Sequence, residues 1–326
     1  MKRLKDAIDT QPVGQIRSVD AMAPEIDSPF ERVDVCICTY QRESLAATLQ
    51  SVADQEQLDA VKVRVIVADN AADPIRRAQV EAQGRDLGLD LIYVHAPARN
   101  ISIARNACLE SANGDWVAFL DDDEVAGSLW LQALLRVGRR DDCEAVLGPV
   151  LAIYPAHTSA WILAADLHSS RPTYTRGKVR SGYTGNVLVR RSFLESAGLR
   201  FREEFGRTGG EDLQFFYELQ DAGGRIAFAP EAVAMEAVPL ERTSLKWVLR
   251  RSFRAGQSHG SRLRERRIGA SWPAPLMLAT AKALVLSLGA AVSIGRPGRW
   301  AVYLSRSALQ CGVACRLAGL REIKLY

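Results

Sequence analysis

Cysteine is sparse and unclustered: six residues, at 36, 38, 108, 143, 311 and 315, with no CxxC pair and no zinc-type grouping. That excludes a zinc ribbon and a dithiol redox motif. Cys36 and Cys38 alternate with Val35 and Ile37, which marks them as small core residues, and Cys311 and Cys315 share one helix face. Packing is the role expected of all six, in a reducing compartment. The first 28 residues hold no continuous apolar run, so a secretory signal is not expected there. They are polar, with Pro12, Pro24 and Pro29 in or beside them, and residues 1–30 are expected to be a mobile leader. Internal repeats and low-complexity tracts are also lacking. What remains, 48% hydrophobic and 25% charged residues, is ordinary for a globular enzyme.

Charge is unevenly spread. The net charge is +4, yet residues 240–270 carry nine Lys/Arg against two Asp/Glu, a local +7 that leaves the rest near −3. A basic block on a mildly acidic body suits an anionic ligand or surface. Nucleic acid is not the expected partner, because only Trp247 and Phe253 interleave that block as stacking platforms.

The pattern of the first half alternates. Strands are expected at 33–39, 61–68, 91–95, 116–120 and 145–153, with helices at 44–54, 74–87, 102–111 and 128–139, Ser44 capping the first. Such alternation predicts a parallel sheet covered on both faces, its strand tips on one edge. The second half is less regular. A strand is expected at 186–190, a helix at 211–222 closed by Gly223–Gly224, a strand at 225–229 and a basic helix at 245–256. Apolar stretches at 275–294 and 300–320 follow, hinged at 295–298.

Asp121, Asp122 and Asp123 end the apolar strand WVAFL. Adjacent carboxylates repel and are costly to bury, so they belong at a strand end facing solvent or a cation. Open α/β sheets bind ligands at that edge. A hard oxygen-seeking cation bridging to a substrate phosphate fits, and so does a plain acidic turn. Thr39, Tyr40 and Arg42 follow the first strand, Asp69–Asn70 the second, and Asn100 with Arg105 the third. Taken singly each suits a turn or helix surface; together they suit a nucleotide, with arginine for a diphosphate. Gly209–Gly210 precede Glu211 and Asp212 at a helix start, where a carboxylate is either a simple helix-terminal charge or a general base.

The segments TYQR, VADN, RNISIARNACLESANGDWVAFLDDDE, YTGNVLVRRS and GGEDLQFFYEL, in that order, resemble the inverting family 2 glycosyltransferases of the GT-A fold. In particular they resemble bacterial exopolysaccharide transferases of the succinoglycan type, in which EAVPLER before a Trp–Arg–Arg helix is also familiar. The resemblance covers about two-thirds of the chain, from Val33 to Gly256. It implies a Rossmann-like catalytic domain over 31–240; charge and hydropathy then set off a basic helical segment over 241–270 and an apolar helical tail over 271–326. It also implies roles. Thr39, Tyr40, Arg42, Asp69, Asn100, Arg105, Asp121 and Asp122 would bind the nucleotide-diphosphate sugar, and Asp123 with Asp121 would hold Mn2+ or Mg2+. Asp212 would be the base, while Glu211, Tyr183, Thr184, Gly185 and Asn186 would line the acceptor, a saccharide on a lipid carrier. Two family features are missing: a late histidine for the metal shell, whose place Glu236, His259 or water would take, and the QxxRW motif of processive synthases. A nucleotide-sugar-binding subunit without turnover is the alternative, which intact Asp123 and Asp212 disfavour.

The tail bears on location. Residues 275–294 are long enough to span a bilayer, but Lys282 interrupts them, and Arg306 and Arg316 interrupt the next stretch. An interfacial hairpin is expected ahead of two alternatives, a true span and a helical pair packed on the catalytic domain or a second subunit; it would hold the enzyme at an anionic membrane surface, on the cytoplasmic face of the inner membrane where nucleotide sugars are made.

Overall fold

Valine- and isoleucine-rich runs, covered on both faces, form β1 (Glu31–Thr39), β2 (Val61–Asp69), β3 (Leu91–His95) and β4 (Trp116–Leu120) in the computed structural model. It describes residues 30–175, 177–207, 209–265 and 273–323, so the leader expected over 1–30 lies, but for residue 30, outside the described residues. The crossover helices are α1 (Leu45–Ala53), α2 (Arg77–Asp86) and α3 (Ile101–Ser111). Ser44 does not cap α1: it is already helical and its side chain makes no capping bond. β1 pairs in parallel with β2 and β4, and β2 with β3. Thr39 is level with Asp69, and Asp69 with His95, so the expected tips do share one edge.

Beyond β4 the chain departs from simple alternation. A short β5 (Glu124–Ala126) precedes α4 (Trp130–Asp141). The single strand expected at 145–153 is two, β6 (Ala145–Leu147) and β7 (Val150–Ile153). Between them Pro149 lacks a ladder donor, and a Cβ on Gly148 would collide with Ala232 O and the Asn186 amide. The chain therefore leaves the main sheet there. α5 (Ala160–Ala165), β8 (Thr173–Thr175) and β9 (Lys178–Ser181) lead to β10 (Asn186–Arg190) and α6 (Arg191–Ser196). Last in the catalytic part come α7 (Glu211–Asp221), β11 (Ile226–Phe228) and β12 (Ala234–Ala237).

The seven-stranded sheet has the order β11-β6-β10-β4-β1-β2-β3, and a three-stranded sheet the order β5-β12-β7. The main sheet is mixed rather than wholly parallel, because β10 runs antiparallel to both β4 and β6. Its buried NVLVR run packs equally well in either direction. The reversal matters, since it sets Asn186 opposite Leu120 and so brings the start of β10 to the end of β4. Apolar clusters fill both faces, one around Leu49, Trp130 and Leu134, the other around Phe119, Phe201 and Phe216.

Three long helices close the chain: α8 (Leu245–Glu265), α9 (Pro273–Val292) and α10 (Arg299–Leu317). The basic helix was expected to stop at Gly256 and instead runs on to Glu265. Gly256 is there for close approach: a Cβ would strike Leu309 O of α10, and one on Gly312 would strike Phe253 O of α8. Trp161 of α5 meets Trp300 of α10 with ring centroids 5.2 Å apart, docking the tail on the catalytic part.

Candidate active site

The strand tips gather the acidic triplet. Thr39 Oγ1 donates to Asp122 Oδ2 at 2.7 Å, and Asp122 is buried. Burial pushes the Asp122 carboxyl upward, against the Thr39 hydrogen bond and Arg42. Arg42 reaches across from the first tip, its Nε 3.5 Å from Asp122 Oδ1 and its Nη1 paired with Asp123 Oδ2. Tyr40 is exposed, with the Arg99 guanidinium 5.9 Å above its ring. Gln41 and Arg99 flank it in left-handed conformations, φ 54° and 47°, backbone strain of a kind that concentrates at binding sites.

Two residues expected to touch the donor are committed to the scaffold. Asn100 caps α3, accepting from Ser102 N at 3.0 Å and Ile103 N at 3.4 Å, while its amide donates to Glu203 O at 2.9 Å. Asp69 is buried, accepting from the Tyr93 hydroxyl and from Ala71 N at 2.8 Å. Arg105 departs further. It is not an exposed diphosphate clasp: 5% exposed, it donates from Nη1 to Glu211 Oε1 at 2.9 Å and to Asp212 Oδ1, with Nη2 3.6 Å from Asp121 Oδ1.

On the opposite wall β10 and α7 present the acceptor-side residues. Thr184 Oγ1 donates to Asp212 Oδ1 at 2.8 Å. A Cβ on Gly185 would overlap Glu124 Oε1 and come 3.1 Å from Asp121 Oδ2, so Gly185 lies against the carboxylates of the donor side. Tyr183 donates to Gly148 O at 2.6 Å. Asn186 is fully buried, taking the Trp130 indole N–H at 2.7 Å and donating to Pro149 O and Ala232 O at 3.0 and 2.8 Å. Its amide is spent beneath the cleft and does not line it. Gly209 and Gly210, at φ 82° and 100°, turn the chain so that Glu211 and Asp212 open α7. Glu211 Oε2 is buried with no hydrogen-bond partner among the described residues.

Carboxylates are crowded here. Burial, then the neighbouring Asp123, Asp212 and Asp122, push Asp121 up to about 7 against Arg105, although 44% of its side chain is exposed. Burial and Asp212 likewise push Glu211 up to about 7. The sequence reading passed over Glu124. It is 3% exposed on β5 and faces Glu236 across the β5–β12 ladder, and burial and Asp121 push its carboxyl well up. The unbroken run DDDE was the available signal. Glu236, pushed up by burial and by Asp123, accepts from Arg242 Nη1 at 3.2 Å. Of the two substitutes for the missing histidine, only Glu236 has Asp123 as a neighbour. His259 sits 3.4 Å from the Tyr217 hydroxyl with Arg262 and Lys282 as its charged neighbours.

The donors at the tips are all carboxylate oxygens, the chemistry that suits Mg2+ or Mn2+. Among the described residues no three metal-ligating side chains converge into a closed cage.

Residues 34–198 match the model of glycosyl transferase family 2. Succinoglycan biosynthesis protein ExoM of Rhizobium meliloti (strain 1021) is 43% identical over 294 residues, covering 90% of this chain and 95% of that protein. The glucosyl-dolichyl phosphate glucuronosyltransferase of Haloferax volcanii is 28% identical, covering 70% of this chain and 76% of its own length. Among solved structures, S. aureus TarS 1–349 in complex with UDP-GlcNAc superposes with a TM-score of 0.52 at 14% identity, over 89% of this chain and 92% of that one. GalNAc-T7 with UDP, GalNAc and Mn2+ does so with a TM-score of 0.53 at 16% identity, over 72% of this chain and 51% of that one. At such identities the likeness is one of fold, the GT-A-like mixed sheet.

Proposed function

Because the chain belongs to glycosyl transferase family 2, we propose that it transfers a sugar, with inversion, from a nucleotide-diphosphate sugar to a hydroxyl of a lipid-linked saccharide in exopolysaccharide synthesis. The observation that carries this reading is the placement of Asp212. It stands 30% exposed at the start of α7, tied through Arg105 to Asp121 at the end of β4. A base on one wall and a nucleotide-diphosphate site on the other is the geometry of direct displacement. The base takes the proton of the incoming hydroxyl as the sugar–phosphate bond breaks on the far face. Arg42 and Tyr40 line the donor side, and Thr184 with Glu211 the acceptor side.

Asp123 and Asp121 would hold Mn2+ or Mg2+, and a cation bound there neutralises the departing diphosphate. Arg42, paired with Asp123 and Asp122, shares that task. The similarity to ExoM supports exopolysaccharide synthesis.

The apolar outer face of α9 and the basic α8 support attachment to an anionic membrane surface, at the cytoplasmic face of the inner membrane. α9 is the one described helix long and apolar enough to cross a bilayer, with mean hydropathy 1.7 in its best window. Its exposed lysine and its packing on α10 favour lying at the surface.

The experiment is a thermal-shift panel of nucleotide sugars with and without Mn2+, since a bound ligand raises the melting temperature by linkage. One donor should stabilise the wild-type protein only with the cation, and should fail to stabilise Asp123→Ala. No stabilisation by any nucleotide sugar, or an unchanged response in Asp123→Ala, would overturn the reading.

A further inference from the structure

Arg105 was placed by its sequence context among the donor ligands, yet it is the most enclosed cation of the site. Its guanidinium lies 5.4 Å from the centroid of the Phe201 ring. Phe201 is itself held by Asn106, one residue along α3: Asn106 Oδ1 accepts from Phe201 N and Asn106 Nδ2 donates to Phe201 O, both at 2.8 Å. The guanidinium is thus clamped from below by an aromatic face and from the sides by carboxylates of two different elements. From α7 come Glu211 and Asp212, from the end of β4 Asp121, and Cys38 of β1 and Cys108 of α3 are further titratable neighbours.

The two oxygens of Asp212 are unequally used. Oδ1 accepts from both Arg105 and Thr184 Oγ1. Among the described residues, Oδ2 has only the long contact from Thr184 N at 3.4 Å. A carboxylate pinned through one oxygen by a cation and a hydroxyl leaves its other oxygen for a substrate proton.

We propose that Arg105 is the positioning residue of this enzyme: it fixes Asp212 so that Oδ2 receives the acceptor proton, and through Asp121 it joins that base to the donor site. The inference rests on Asp212 being the base. In it Arg105 makes no contact with the donor diphosphate. Its charge offsets Glu211 and Asp212, which would otherwise repel each other at the start of one helix. A planar fork that meets three carboxylates is what arginine supplies and lysine, a point charge, supplies only in part.

The first test needs no substrate. Melting temperatures of wild type, Arg105→Met and Arg105→Lys are measured in chelator from pH 5 to pH 8. Loss of a charge-compensating cation predicts a deficit in Arg105→Met that is largest at pH 8 and shrinks toward pH 5, as Glu211 takes up a proton. Arg105→Lys should recover a good part of it. A deficit independent of pH, or no recovery with lysine, would reduce Arg105 to a packing residue and overturn the proposal.

The second test uses the nucleotide sugar that stabilises the wild type. Arg105→Lys should keep donor affinity within about threefold while turnover falls by roughly 100-fold. Donor affinity lost with turnover preserved would return Arg105 to the diphosphate. Asp212→Asn, run in parallel, reports on the base alone. Full turnover there would remove the base assignment, and the substrate-free series would still decide what Arg105 compensates.

Discussion

At the scale of single residues, proximity to the carboxylates explains side chains that motif position alone would misplace. Gly185 looks like a loop glycine, but a Cβ there meets Glu124 and Asp121. Gly185→Ala should cost about 1–3 kcal/mol in urea denaturation and impair donor binding, since the neighbours have no room to give. An alanine variant of wild-type stability would show that the strand tip is looser than its packing implies. The raised carboxylates carry a pH signature. Asp121 and Glu211 sit near 7 when folded, above the usual carboxylate values of about 4. The folded protein therefore binds more protons than the unfolded chain between those limits. The stability so gained is complete below about pH 4 and is lost as pH rises through 7. Metal-free protein should melt lower at pH 8 than at pH 5.5, and Mn2+ should restore more at pH 8, because the cation needs the ionised carboxylate. A Mn2+ shift larger at pH 5.5 would contradict the assignment of Asp121. For Asp212→Asn, donor binding should persist while transfer slows by about 100-fold or more; near-native turnover would point to Glu211 instead.

At the scale of elements, glycine and proline decide where chains may touch or must part. Pro149 removes a ladder donor and Gly148 accepts a neighbour no Cβ would admit, so one apolar run serves two sheets. The pattern of residues 145–153 carries no trace of that division, because the hydrophobic period is the same on both sides of it. Gly256 and Gly312 similarly let α8 and α10 approach backbone to backbone. Gly312→Leu should separate these helices and destabilise the C-terminal part, read as earlier proteolysis there and a lower melting temperature. A variant cleaved no faster than wild type would show that the crossing tolerates side-chain bulk.

At the scale of the whole molecule, the proposed attachment to a surface falls to the tail. α9 buries Ala279, Ala283 and Ala290 and exposes Leu284, Val285, Leu288 and Val292, each at least 67% accessible. Small residues inside and large apolar ones outside is the reverse of what a water-facing helix shows. Wild-type protein should sediment with vesicles containing phosphatidylglycerol. Leu284→Asp combined with Leu288→Asp should stay in the supernatant with its melting temperature unchanged, because neither side chain is packed. A wild type that ignores vesicles at low salt would remove the membrane from this picture.

The sequence by itself determined the strands whose valine-rich runs are buried on both faces, the shared edge of their tips, and the chemistry placed there. Alternating hydrophobicity, turn residues and charge are local quantities that need no partner to be read. Only the tertiary structure decided the direction of β10, the pairing of Glu124 with Glu236, and the commitment of Asn100 and Asn186 to the scaffold. It also decided that Arg105 faces Asp212. Each of these depends on which groups meet across tens of residues or more, where a polar side chain takes whatever partner burial leaves it.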